Sequence, residues 1–314
     1  MAWEFFVPVP VLTMSYYSLN NYIQDSFGEK LYKLSLNGGM TCPNRDGTLG
    51  TGGCIFCSEG GSGEFSQSAK IPIDQQIELA KKRVSAKFNG NKYIAYFQAF
   101  TNTYAPVKYL KELFEPVIER DDIAVLSIAT RPDCLQDGVL ELIAELNQKK
   151  PVWIELGFQT SNEKTAEYIR RGYKNESFEE AVKNLNKIGV HIVAHIILGL
   201  PNETSEDMLK TVDYVAHSGV QGIKIQLLHI LKNTELCKRF EQGTFEALSM
   251  EKYIALLGEC IEHLPKSMVV HRITGDGPKS LLVAPLWSAD KKKVLNTISF
   301  EFRKNNITQG TKFI

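Results

Sequence analysis

Long hydrophobic runs are the first thing this 314-residue chain lacks. The one apolar stretch near its start, Phe5 to Met14, follows Glu4, has no basic flank and is broken by Pro8 and Pro10. A spanning helix needs about 20 apolar residues and a secretory leader needs a positive n-region, so neither is expected, and a reducing cytoplasmic setting is. Cysteine is scarce, six in all, which excludes a disulfide-stapled small domain. Gly 23 and Pro 12 without a period exclude collagen-like and low-complexity chains. Net charge is missing too: 36 Lys and Arg balance 36 Asp and Glu, so bulk electrostatics does not wrap the molecule in nucleic acid. Two phosphate-binding patterns are absent as well. The run GDGPK at 275–279 is no Walker loop, and Gly60-Gly61-Ser62-Gly63 is no dinucleotide fingerprint.

What is present is unevenly distributed. Between 265 and 314 nine Lys and Arg face three Asp and Glu, a net +6 that leaves −6 for the rest of the chain. Such a segment is either a solvated lysine face or a surface for an anionic ligand. Three of the six cysteines crowd into C-x11-C-x2-C as Cys42, Cys54 and Cys57, while Cys134, Cys237 and Cys260 stand alone. A structural zinc site closes with four ligands, yet every histidine lies at 191 or later and no second C-x2-C exists. Three thiolates suit an iron–sulfur cluster with one open position. Zinc and free thiols remain the alternatives at this level.

Strand-length apolar runs alternate with helical patterns. The strands are expected at Leu31–Leu36, Tyr93–Phe97, Ile123–Ile128, Val152–Phe158, Ile192–Leu198 and Gly222–Leu227. Phe178, Ala181, Val182, Leu185 and Ile188 share one helical face, as do Met208, Leu209, Val212, Val215 and Ala216. Thr204 with Asp207 has the form of a capping box, and Pro72 and Pro106 suit helix starts. A helix near Met250–Leu264, a short strand Val269–Ile273 and a helix near Lys291–Lys304 follow. The alternation predicts an α/β fold, an incomplete (β/α)6 TIM-like barrel, with 1–264 as the barrel and 265–314 as a C-terminal extension packed on it. A barrel is favoured over an open doubly wound sheet because polar residues follow each strand: Gln98, Thr101 and Asn102; Thr130, Arg131 and Asp133; Gln159 and Thr160; His195 and the Gly199–Glu203 turn; His229, Lys232 and Thr234. In parallel barrels the active site is built from these loops.

The segment CPNRDGTLGTGGCIFC at 42–57 resembles the cluster loop of the radical S-adenosylmethionine (SAM) superfamily, with Phe56 just before the third cysteine. The long gap departs from the common C-x3-C-x2-C spacing and is similar to the YhcC/YtqA branch, which lies near the Elongator catalytic subunit and the oxygen-independent coproporphyrinogen oxidases. YFQAFTNTYAP (96–106), ATRPDCL (129–135), ELGFQT (155–160), HIILGLPNET (195–204) and HRITGDGPK (271–279) also look like that branch.

The resemblance implies a [4Fe–4S] cluster on Cys42, Cys54 and Cys57 within a loop spanning 38–63, SAM as cofactor, and an enzyme that cleaves SAM reductively to a 5′-deoxyadenosyl radical. It implies that Phe56 meets the adenine, that the Gln98–Asn102 stretch receives the methionyl amino group, that Gln159 and His195 reach the ribose region, that Arg171 clamps the carboxylate, and that Gly199 lets backbone approach the base. From residue type alone, a helix-end cation at Arg171 and a core histidine at His195 are the alternatives. His229, Lys232, Arg272, Asp276 and Lys279 fall beyond the SAM half and are expected at the substrate. Kinship with the Elongator subunit and the +6 segment suggest a tRNA substrate modified at its wobble uridine, in a late step of 5-aminomethyl-uridine-type maturation. A carboxylated small molecule is the alternative, and a zinc-binding non-enzyme the outside one. A one-electron reductant such as flavodoxin or ferredoxin is implied, and no membrane partner.

Overall fold

The computed structural model describes residues 15–88, 90–275 and 277–314. The chain runs α1 (Leu19–Phe27), β1 (Tyr32–Leu36), α2 (Ile73–Val84), β2 (Tyr93–Phe97), α3 (Val107–Glu119), β3 (Ile123–Thr130), α4 (Asp137–Lys149), β4 (Val152–Gln159), α5 (Glu163–Tyr168), α6 (Asn175–Lys187) and β5 (His191–Leu198). It continues through α7 (Ser205–His217), β6 (Gly222–Leu227), β7 (Ile230–Leu231), α8 (Glu235–Glu241), α9 (Met250–His263), β8 (Val269–Arg272), β9 (Leu282–Ala284) and α10 (Lys291–Lys304). All six main strands stand where the apolar runs place them. The short strand expected near 269 joins them, giving one seven-stranded sheet in the order β1-β2-β3-β4-β5-β6-β8 with every pair parallel. The segment beyond 264 therefore supplies a strand of the sheet as well as α10. β7 and β9 pair separately as a small antiparallel ribbon.

The sheet is curled. Neighbouring strands stand about 4.8 Å apart, so β1 and β4 in a flat sheet would be separated by about 14 Å. Yet Lys33 of β1 and Lys224 of β6 both reach Glu155 of β4, which requires the strands to wrap round a common interior. The outer face is dry: Leu34, Leu36, Phe97, Leu126, Ile154, Ile192 and Ile225 pack against Phe114, Ile143, Phe178 and Leu257 of the crossover helices in the main core. α1 closes the N-terminal end, where Ile23, Leu31, Ile94, Val125 and Trp153 form a plug. A third apolar cluster, Ile55, Ile169, Leu200, Leu228, Ile230 and Leu236, ties the cysteine loop to the opposite end, and the Leu236 amide donates to the Ile55 carbonyl at 2.9 Å. α7 starts with the anticipated capping box of Thr204 and Asp207. Among the described residues no helix is long and apolar enough to cross a membrane.

Candidate active site

Cys42, Cys54 and Cys57 all line one cavity of about 540 Å³ at the C-terminal ends of the strands, whereas Cys134, Cys237 and Cys260 are buried in the body. Local hydrogen bonds explain why the long loop between Cys42 and Cys57 folds back. The Gly53 amide donates to the Asn44 carbonyl at 2.7 Å, and the Cys57 amide to the Cys54 carbonyl at 3.0 Å. Asn44 is the hinge pin: its Nδ2 donates to the Arg170 carbonyl at 2.7 Å and lies 3.5 Å from the Cys54 sulfur. Gly172 makes room for it, since a Cβ there would stand 2.5 Å from Asn44 Oδ1, and its φ of +81° favours glycine in any case. Arg45 donates to the carbonyls of Cys57 and Ser58 at 3.1 and 2.5 Å. Arg131 Nη1 approaches the Cys42 sulfur at 4.0 Å, while its Nε and Nη2 are held by Asp133.

Two of the thiols are strongly perturbed. Burial, then the neighbouring Cys57, pushes the Cys54 thiol up to about 12, and burial also raises Cys57 against the pull of Arg45. Burial thus favours the neutral thiols of Cys54 and Cys57 beside Arg131 and Arg45. Positively charged iron would supply the charge that makes them thiolates, so the donor set suits a cluster. Among the described residues no three His, Cys, Asp or Glu side chains converge as ligands of one metal ion.

The rest of the wall includes several expected residues. Phe56, Gln98, Gln159, Arg171, His195, His229 and Arg272 all line the cavity. Gln98 Nε2 is buried without a partner in the protein, a donor aimed where a cofactor oxygen would satisfy it. The strand register slips between Gly157 and Gln159, and Gln159 takes φ +67°, which lifts its side chain out of the strand onto the rim. Arg171 is almost fully buried and directs its guanidinium at the Tyr173, Phe158 and Thr160 carbonyls (2.9, 3.3 and 2.7 Å), Glu163 (3.4 Å) and Asn175 (3.0 Å). It clamps the loop after β4, and to grip a carboxylate it would have to exchange one of those partners.

Four other expected residues stand off the cavity wall. Asn102 is fully buried and turns Nδ2 to the Ala129 carbonyl at 2.9 Å, away from the cavity wall. Gly199 packs against Leu248, 3.0 Å from its would-be Cβ. Lys232 and Lys279 are exposed and off the wall, although Gly277 and Pro278 are on it. Asp276 lies outside the described residues.

The charged centre of the chamber is a set the sequence reading did not single out. Glu155 is completely buried. Its Oε1 accepts from Lys33 Nζ and Ser127 Oγ, both at 2.8 Å, and its Oε2 accepts from Lys224 and lies 2.8 Å from His195 Nε2. Lys224 Nζ also lies 3.3 Å from the Tyr96 hydroxyl and 4.4 Å from the ring centre. Burial lowers the His195 pKa to about 4, so the ring is neutral near pH 7 and donates from Nε2 to the carboxylate. Each of Lys33, Glu155 and Lys224 is the lone charge within a short apolar strand (YKLSL, VWIELGFQ, GIKIQL), a signal available in the sequence.

Comparison with known proteins adds identity to this geometry. Residues 43–215 match the Radical SAM superfamily model, and residues 220–304 match that of the Radical_SAM C-terminal domain. The chain is 47% identical over 298 residues to YtqA of Bacillus subtilis, covering 95% of this chain and 92% of that protein. Over 165 residues it is 32% identical to a tRNA-2-methylthio-N(6)-dimethylallyladenosine synthase of Fusobacterium nucleatum, 52% of this chain and 37% of the other. Its fold resembles the solved structure of Methanocaldococcus infernus Elp3 with a TM-score of 0.67 at 16% identity, covering 89% of this chain and 64% of that one.

Proposed function

The chain belongs to the radical SAM superfamily, in its YhcC/YtqA branch, and we propose that it modifies the wobble uridine of tRNA, in a late step of 5-aminomethyl-uridine-type maturation such as trimming a carboxymethyl substituent. As a member it is an enzyme that uses a [4Fe–4S] cluster and SAM, which together supply reductive cleavage to a 5′-deoxyadenosyl radical able to take a substrate hydrogen. Cys42, Cys54 and Cys57 hold the cluster in this reading. Phe56, Gln98, Gln159 and His195 orient SAM, and Arg171 fixes the loop on which Gln159 sits. Flavodoxin or ferredoxin delivers the electron. The protein's own work is positioning the substrate hydrogen and excluding water from the chamber.

The observation that carries the tRNA reading is the tie between the chamber and the basic C-terminal segment. His229 on the cavity wall lies 3.1 Å from Ser288 Oγ, in the turn that leads into α10, and Lys292 and Lys293 are exposed in the first turn of that helix. A polyanion bound there would have a path into the cavity. The partial similarity to a tRNA-modifying synthase supports the same substrate class. Mass spectrometry of tRNA nucleosides from cells lacking the gene tests it, and an unchanged wobble-uridine profile would sink it. A second reading, a free carboxylated small molecule, is favoured by the cationic interior. Salt separates the two: binding through several phosphates weakens steeply with ionic strength, whereas a buried carboxylate contact responds far less.

A further inference from the structure

Beneath the cluster loop two ammoniums have more N–H groups than the protein's acceptors take up. One carboxylate, Glu155, serves two ammoniums, and all four of its close contacts are taken by Lys33, Ser127, Lys224 and His195. An ammonium carries three N–H groups. Lys33 gives one to Glu155 and lies over the rings of Tyr96 and Trp153 at 4.8 and 5.5 Å, while Lys224 reaches Glu155 and Tyr96. Both line the open cavity, although the Lys224 side chain is only 4% exposed. Of the groups packed around them His195 is neutral, burial drives Tyr96 well above the ordinary phenol range and His271 well below the ordinary imidazole range, and the other described carboxylate on the wall, Glu64, is held by Ser58 of the cluster loop. Burying ammoniums without full pairing is costly, and they are kept where something anionic comes to meet them.

We propose that Lys33 and Lys224 form a subsite for a carboxylate carried by the substrate, so that the acidic end is buried at the base of the chamber. This subsite deepens the reading above and rests on it for the carrier, the substituent of a modified uridine. The chemistry of recognition is the same for a carboxylate on a free small molecule.

The test is anaerobic titration calorimetry of the reconstituted holoenzyme with SAM, using three probes. Two are anticodon stem-loops differing only at the wobble base, 5-carboxymethylaminomethyluridine or 5-aminomethyluridine, and the third is coproporphyrin III. The carboxylated stem-loop should bind at least about tenfold more tightly than the aminomethyl one, a difference of about 1.4 kcal/mol. Lys224→Met should bind the two alike. Lys33→Met, at a less buried position, should do the same and guards against a misfolded Lys224 variant. Stem-loops bound without preference, or a preference that survives in both variants, overturn the subsite while leaving the tRNA reading intact. Lysine-dependent binding of coproporphyrin with no stem-loop binding upholds the subsite and removes tRNA as the carrier. Failure of all three probes to bind in a lysine-dependent way overturns it.

Discussion

Replacing Glu155 by Gln keeps the volume of the buried side chain and removes its charge. Burial by itself would push the Glu155 pKa up, but the ammoniums of Lys224 and Lys33 and the hydrogen bond to His195 outweigh it and hold the carboxyl well below the usual range. A depressed carboxylate lends stability that is present above its unfolded value near pH 4.3 and lost as pH falls through the lower folded value, so at neutral pH the contribution is complete. In the variant two buried ammoniums face an amide. Removing one partner of a buried pair costs about 3–5 kcal/mol, out of a total stability of about 5–15 kcal/mol. For a chain of this size that corresponds to a fall in Tm of about 5–10 °C at pH 7. Glu155 is what favours the charged form of Lys224 against burial, so in the variant Lys224 gives up its proton at lower pH than in the wild type and the deficit should narrow toward pH 9.5. Tryptophan-fluorescence melts at pH 7 and 9.5, reporting on Trp153 in the plug, measure this directly. The double variant Glu155→Gln with Lys224→Met should recover part of the loss, because removing both partners is often nearly neutral. A Tm within about 2 °C of wild type at pH 7, or a deficit that widens with pH, would refute the assignment of Glu155 as the counter-charge.

Cys54→Ala should abolish iron incorporation and SAM cleavage while Cys237→Ala, at a buried thiol remote from the cavity wall, keeps both; an iron-free Cys237 variant would break the ligand assignment. Gln98→Leu removes a buried donor that has no protein partner, so Tm should hold or rise, since an unmade hydrogen bond costs about 1–3 kcal/mol. SAM affinity by equilibrium dialysis should drop about tenfold, and undiminished affinity removes Gln98 from the cofactor site. Burial raises the Glu203 carboxyl to about 7 despite the hydrogen bond from Thr160, so the stability tied to its protonated form is full below the unfolded value near 4.3 and is lost as pH rises through about 7. Glu203→Gln should therefore match wild type at pH 5 and melt higher at pH 8.5, by about 1–3 kcal/mol of stability. Equal melting at both pH values would count against that reading.

The strands were readable because parallel strands covered on both faces leave continuous apolar runs, and the cluster loop because C-x2-C after a strand is a local pattern. The short segment at 269 was legible as a strand and not as a sheet member, since its partner β6 lies more than forty residues earlier and only the closing curvature brings them together. Position after a strand was only part of the signal. A polar residue just after a strand marks the correct end of the barrel, but one turn of backbone decides where the side chain points. Asn102 turned to the Ala129 carbonyl, whereas Gln98 at the end of β2 faced inward. The reverse error hid Lys33, Glu155 and Lys224. A charge inside a strand reads as a flaw in an apolar run until strands separated by 122 residues in sequence place Lys33 against Glu155.

That arrangement makes stability and recognition compete for the same two ammoniums. Glu155 offsets the positive interior when the chamber is empty, and a substrate carboxylate would have to share Lys33 and Lys224 with it. Because the carboxylate is held by both cations, each unit of charge it neutralises is charge withdrawn from the ligand. Glu155→Gln should therefore lower Tm and, over the pH range where the lysines stay protonated, tighten binding of the carboxylated stem-loop relative to the aminomethyl one. A structural role alone predicts that both fall together, since a loosened chamber would hold neither ligand. Opposite signs for Tm and for the carboxylate preference in a single variant are the signature of a counter-ion that occupies the substrate's electrostatic place.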